Sequence, residues 1–98
     1  MSIKEKTVSE LKEWRDGGFD FQLIDVREPH EFEAANLGGE LIPLGNIVNE
    51  SAQIRTDIPV IIHCRSGARS AAAIAELERR FSMTNLYNLK GGILAYAR

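Results

Sequence analysis

The segment Pro59-Val60-Ile61-Ile62-His63 constrains the fold of this chain more than any other. Four of its five residues are apolar and three are β-branched, so it has no evident solvent face. Such a run suits a central parallel strand covered by helices on both sides. Cys64 to Gly67 then reads as a short polar loop, and Ala68 to Phe81 as a helix with Ala71, Ile74, Leu77 and Phe81 on one face.

The rest of the chain repeats this alternation. Thr7 and Glu10 have the spacing of a capping box. Val8, Leu11 and Trp14 follow at helical spacing, and Gly17-Gly18 supplies a stop. Phe21 to Val26 reads as a buried strand, and Pro29 to Ala35 as a short helix opened by proline. Leu41-Ile42 predicts a short strand ending at Pro43, and Leu44, Ile47, Val48 and Ile54 predict a helix face closing near Asp57. Asn85 to Leu89 is a further strand, Lys90-Gly91-Gly92 a turn, and Ile93 to Ala97 a last helix. The expectation is an α/β fold: one domain over residues 1–98, with a central, mostly parallel sheet and helices on both faces.

Composition removes several function classes. Formal net charge is −2, without the basic excess of a nucleic-acid binder. No apolar run reaches the ~20 residues of a membrane helix, and no secretory signal follows Met1, so the expected location is cytoplasmic. One cysteine excludes an internal disulfide, a zinc–thiolate cluster and an internal resolving thiol. His30 and His63 show no metal-ligand spacing with it, so no metal and no cofactor are expected. A monomer is the default.

The chemistry concentrates in His63-Cys64-Arg65-Ser66-Gly67-Ala68-Arg69-Ser70. Cys64 falls at the carboxyl end of a strand, where open parallel sheets bind ligands. Successive backbone N–H groups in a tight loop form an anion-binding nest, and the following helix adds a positive partial charge. Arg65 and Arg69 add full charges. All of these favour a thiolate, lowering a thiol from near 8.5 to ~3.5–7.5. A buried structural cysteine is the plainer alternative, but it has no need of two nearby arginines. Asp25 falls at the end of a neighbouring strand and is a candidate to pair with a loop arginine; a solvated turn or cap is the alternative. Arg27 either contributes to the pocket or pairs with a nearby carboxylate. His63 points away from Cys64 by strand alternation, so a structural, hydrogen-bonded role is expected.

At these residues the chain resembles the single-domain rhodaneses, or thiosulfate sulfurtransferases. Leu23-Ile24-Asp25-Val26-Arg27-Glu28, Glu31-Phe32, Gly39 with Ile42-Pro43-Leu44, Cys64 to Ser70, and Leu89-Lys90-Gly91-Gly92-Ile93 match five of the family's motifs in order. There are departures: Asn36 stands where a histidine is common, one residue is missing between Gly39 and Pro43, Tyr96 replaces a tryptophan, and the sequence ends at Arg98 before a tail that many members carry.

Cysteine phosphatases have His-Cys, five residues, then Arg-Ser/Thr; here only four residues separate Cys64 from Arg69. A six-residue loop, Cys64 to Arg69, makes a tighter cradle, suited to one terminal sulfur rather than a tetrahedral phosphate. The resemblance therefore implies a ping-pong sulfurtransferase. Cys64 would take sulfur from a small anionic donor such as thiosulfate and pass it to cyanide, a thiol or a partner protein. Loop residues Arg65, Ser66, Gly67, Ala68 and Arg69 would bind the donor and the persulfide, and both arginines would orient its sulfonate. The alternatives are an interaction or sulfur-relay module of a larger enzyme, such as a sulfur-carrier adenylyltransferase, and a phosphatase or arsenate reductase.

Overall fold

Val60–His63 forms the middle strand of a five-stranded sheet, and all four of its residues are buried. The structure is a computed structural model and describes residues 2–97; Met1 and Arg98, the expected ends of the domain, lie outside the described residues. In chain order the elements are β1 (Glu5–Lys6), α1 (Val8–Asp16), β2 (Gln22–Asp25), α2 (Pro29–Ala34), β3 (Glu40–Leu41), β4 (Val60–His63), α3 (Ala68–Phe81), β5 (Leu86–Leu89) and α4 (Gly92–Tyr96). The strand order is β1-β5-β4-β2-β3 and every pairing is parallel. The sheet expected to be mostly parallel is wholly so. Among the described residues, no helix is long and apolar enough to cross a membrane.

Alternation along β4 divides the core. Ile61 packs with Leu11, Leu23 and Leu89 on one face, under Val8 and Trp14 of α1. Val60, Ile62 and Cys64 belong to the other face, with Ala73, Ile74 and Leu77 of α3. Helices thus cover both sides of a strand that offers water neither. The capping box forms as its spacing predicts: Thr7 Oγ accepts the Glu10 N–H at 3.1 Å, and Glu10 accepts the Thr7 N–H at 2.9 Å.

One local expectation fails and one element is unforeseen. The helix predicted through Leu44 to Asp57 is instead two single 3-10 turns, Leu44–Asn46 and Ser51–Gln53, joined by a turn. Gly45, Asn46, Asn49 and Ser51 favour turns over helix interiors, yet Ile47 and Ile54 still reach the core. The strand β1 has no apolar alternation to announce it. Its two residues are charged, as suits an edge, and it is held through Lys4 and Lys6 carbonyls accepting from Asn88 and Lys90.

The chain then closes over the loop after β4. The first N–H groups of α4, which have no partner within their helix, donate outward: Ile93 to the Cys64 carbonyl at 3.0 Å and Leu94 to the Arg65 carbonyl at 3.1 Å. Gly92 makes this approach possible. Its φ is +62°, and a Cβ there would stand 2.7 Å from the Cys64 oxygen and collide with the Arg65 carbonyl. Gly92→Ala is therefore expected to destabilise the fold by more than the ~1–3 kcal/mol of a left-handed backbone alone, because the helix must also back away from the loop. Urea denaturation of the two proteins measures the difference.

Candidate active site

Cys64 stands just past the carboxyl end of β4 and is 1% exposed. The backbone turns sharply behind it. Gly67, at φ +114°, ends the loop and is the N-cap of α3. That turn aims the Gly67 N–H at the Cys64 Sγ from 3.1 Å and the Ser70 N–H from 3.4 Å, and the Ser70 Oγ lies 3.3 Å away. Burial pushes the Cys64 thiol up. The Ser70 hydroxyl and the amides of Ser70, Gly67 and Ser66 together outweigh burial, leaving it below its ordinary value. The sequence argument credited the two arginines with much of this effect, but neither is among its leading causes. Hydrogen bonds to the ionised form do the lowering.

Arg69 is already engaged. It makes a bidentate pair with Glu31 of α2, Nη1 to Oε1 at 2.7 Å and Nη2 to Oε2 at 2.9 Å. The Arg69 guanidinium and the Glu28 N–H hold the Glu31 carboxyl down at about 2. Arg65 is exposed and makes no ion pair among the described residues. The two loop arginines, expected to act alike, are in different states: one neutralised by a carboxylate, one free.

Asp25 does not pair with a loop arginine. Its partner is Arg27, whose Nε and Nη2 reach the carboxylate at 2.9–3.1 Å while Nη2 also donates to the Ala35 carbonyl at 2.7 Å. Asp25 is 0% exposed and Arg27 5%. The pair forms because Arg27 is two residues along the same chain and folds back, whereas Arg69 has Glu31. It ties the end of β2 to the end of α2, and so braces the wall that carries Glu31. Arg27 also lines, with Glu31, Ala35, Arg65, Ile93 and Leu94, a shallow groove of about 340 Å³ beside the loop. A second hollow of about 450 Å³ lies at the amino ends of the strands, away from Cys64.

His63 lacks the hydrogen bond expected of it. Among the described residues neither ring nitrogen has a partner, and the nearest Asp25 oxygen is 3.8 Å from Nε2. Burial pushes the imidazole down, against the opposing pull of the Asp25 carboxylate, so His63 is neutral at pH 7. No group of three or more metal-ligating side chains is assembled among the described residues. Sequence reasoning passed over three positions that the structure places in contact with the loop. Ser70 and Glu31 stood inside the quoted motifs without an assigned role, and Asn88 of β5 carried no signal at all. Asn88 donates its Nδ2 to the Gly67 carbonyl at 3.1 Å and places Oδ1 2.5 Å from the Ser70 hydroxyl.

A parallel sheet carries this cysteine loop at its carboxyl rim, and comparison with known proteins identifies the class. The rhodanese-like domain family matches residues 7–98, and the chain belongs to that family. It is 47% identical over 88 residues to the uncharacterized protein YqhL of Bacillus subtilis, covering 89% of this chain and 68% of that protein. It is 39% identical over 80 residues to a protein named sulfurtransferase from Allochromatium vinosum, covering 81% and 74%. Against a probable adenylyltransferase/sulfurtransferase of Mycobacterium tuberculosis the identity is 34% over 96 residues; the match takes in 94% of this chain but only 24% of that protein. The crystal structure of a rhodanese-like domain protein from Staphylococcus aureus superposes with a TM-score of 0.86 at 27% identity, covering 96% of this chain and 91% of that one. Cys64 occupies the family's active-site cysteine position.

The Glu31–Arg69 pair sets an acid limit on the loop. Because folding lowers the Glu31 carboxyl, the pair's contribution is complete above the unfolded value near 4.5 and is lost as pH falls toward about 2. The pair is partly solvated, so its worth is at most about 1 kcal/mol. The stability gap between the native chain and Glu31→Gln should be constant at neutral pH and shrink over that acid window, as read from denaturant midpoints against pH.

Proposed function

We propose that this protein is a sulfurtransferase that carries sulfur as a persulfide on Cys64. The observation that carries this reading is the cradle: a buried sulfur receiving two backbone N–H groups within a six-residue loop. Donors fixed at the sulfur before reaction stabilise charge without reorganising. The thiolate attacks the outer sulfur of a thiosulfate-type donor. The Cys64 Sγ–S bond forms, the donor's S–S bond breaks, and its electron pair departs with sulfite. A nucleophilic acceptor, cyanide or a thiol, then attacks the terminal sulfur, breaks the Sγ–S bond and restores the thiolate. Arg65, the loop arginine without a carboxylate partner among the described residues, receives the donor's sulfonate. Arg69 takes part only to the extent that an incoming anion displaces Glu31.

The loop amides and the Ser70 hydroxyl lower the Cys64 thiol and so favour its ionised, nucleophilic form, while His63, on the opposite face of β4, is not placed to act as its base. The loop length argues against phosphate-ester hydrolysis, since a phosphoryl group needs a wider ring of donors than one sulfur atom. The match to about a quarter of the Mycobacterium tuberculosis protein supports a second setting for the same chemistry. In that setting the domain hands its sulfur to a partner rather than to a small molecule. With one cysteine, the handover must be direct in either case.

Incubation with thiosulfate is expected to raise the intact mass by one sulfur atom. Cyanide should reverse the gain, and Cys64→Ser should abolish it. A chain whose thiolate forms normally yet gains no sulfur from thiosulfate or from any other sulfane donor would refute the reading.

A further inference from the structure

The Ser70 hydroxyl has one proton to donate and three atoms positioned to take it. Cys64 Sγ is at 3.3 Å, the Gly67 carbonyl at 3.2 Å and Asn88 Oδ1 at 2.5 Å. These claims are unequal. The Gly67 oxygen is already satisfied by Asn88 Nδ2 at 3.1 Å and by the Ala71 N–H at 3.1 Å. The sulfur already receives two backbone N–H groups. Asn88 Oδ1 has no other donor among the described residues.

The Gly67 carbonyl also fixes which way the Asn88 amide points. Turned over, the amide would set Oδ1 against the Gly67 oxygen, two acceptors with no proton between them. Oδ1 therefore faces Ser70. Two oxygens 2.5 Å apart need a proton between them, and only Ser70 can supply it. In this arrangement the lone pairs of Ser70 Oγ face Cys64. Such a hydroxyl accepts a hydrogen bond from a thiol but gives none to a thiolate.

We propose that Asn88 is a positioning residue that holds the Ser70 hydroxyl proton away from Cys64, favouring the states in which Sγ carries no charge. When the thiol ionises, its proton leaves to solvent, the Ser70 O–H swings from Oδ1 to Sγ, and Oδ1 loses its donor. Leaving that buried acceptor unpaired opposes ionisation. The two backbone N–H groups favour the thiolate in either position, so Asn88 trims an effect that they dominate. In a persulfide the charge sits on the terminal sulfur and Sγ is neutral, so the hydroxyl proton returns to Asn88. That last step rests on the sulfur-transfer reading; the competition for the proton does not.

The charged groups around Cys64 are Arg65 of the loop, Arg69 of α3 with Glu31 of α2, and the Asp25–Arg27 pair at the end of β2; His63 lies behind the strand. None of their side chains hydrogen-bonds to Sγ, Ser70 Oγ or the Asn88 amide. Substitutions at Ser70 and Asn88 leave those charges in place.

The test is a thiolate titration by ultraviolet absorbance on the whole chain, with the Cys64→Ser protein as the blank. Ser70→Ala should raise the midpoint. Asn88→Ala should lower it, by about one pH unit, because the freed hydroxyl then turns to the sulfur. Combined with Ser70→Ala, it should have no further effect. Asn88→Ser, smaller but polar, should shift the midpoint in the same direction and guards against an alanine variant that does not fold. A higher midpoint in both Asn88 variants, or an equal shift with and without Ser70, would overturn the proposal and leave Asn88 as a loop support alone. Sulfur loading is measured separately. If neither thiosulfate nor any other sulfane donor loads any variant while the titrations behave as expected, the sulfur reading falls and the positioning role of Asn88 stands.

Discussion

The convergence of peptide N–H groups on the Cys64 sulfur is the contact around which the rest of the molecule is arranged. A sulfur 1% exposed sits where burial alone would keep it protonated. Ionisation there requires donors that replace water, and two of them come from the backbone. The loop can present them only if its own carbonyls point elsewhere, and they do: the Cys64 and Arg65 oxygens accept from the first turn of α4. The glycine pair before that helix is thus part of the cradle although it lies far along the chain. The all-parallel sheet makes this possible, because β4 and β5 deliver both segments to the same rim.

Charge around the cradle is arranged so that little of it acts on the sulfur directly. Arg69 is matched by Glu31, and Arg27 by Asp25. The buried Asp25–Arg27 pair is weak evidence of stability in itself, since desolvation offsets most of its attraction. Its value is geometric: through the Ala35 carbonyl it joins the end of β2 to the end of α2, the helix from which Glu31 reaches the loop. Of the two loop arginines, Arg65 alone faces solvent without a carboxylate partner among the described residues, which leaves its charge available beside the loop.

What could be read from the residues depended on how local the cause was. The central strand, α3 and the capping box each follow from patterns within a few residues, and they appear where those patterns place them. The cysteine loop was legible because its spacing is chemical. Illegible features were those decided across the sheet. β1 exists because the edge of β5 accepts two charged residues. The segment from Leu44 to Asp57 has apolar residues at helical spacing, yet its turn formers win locally while Ile47 and Ile54 stay anchored. Asp25 was read against the arginines of the loop, but the arginine two positions away reached it first.

Departures from ordinary packing gather at one end of the sheet. Gly67, Gly91 and Gly92 take positive φ at the carboxyl rim, and His63 is buried there with neither ring nitrogen paired among the described residues. The hydroxyl of Ser70 has more acceptors than protons at the same rim. A structure optimised only for stability would remove such features, since each unsatisfied or strained group costs free energy that hydrophobic packing must offset. Offsetting contacts are at hand: Ile61 and Ile62 of β4 and Leu89 of β5, all fully buried, lie within one or two residues of His63 or Gly91. The fold tolerates a poorly satisfied rim because the buried strands behind it are well packed, and that rim is where Cys64 lies.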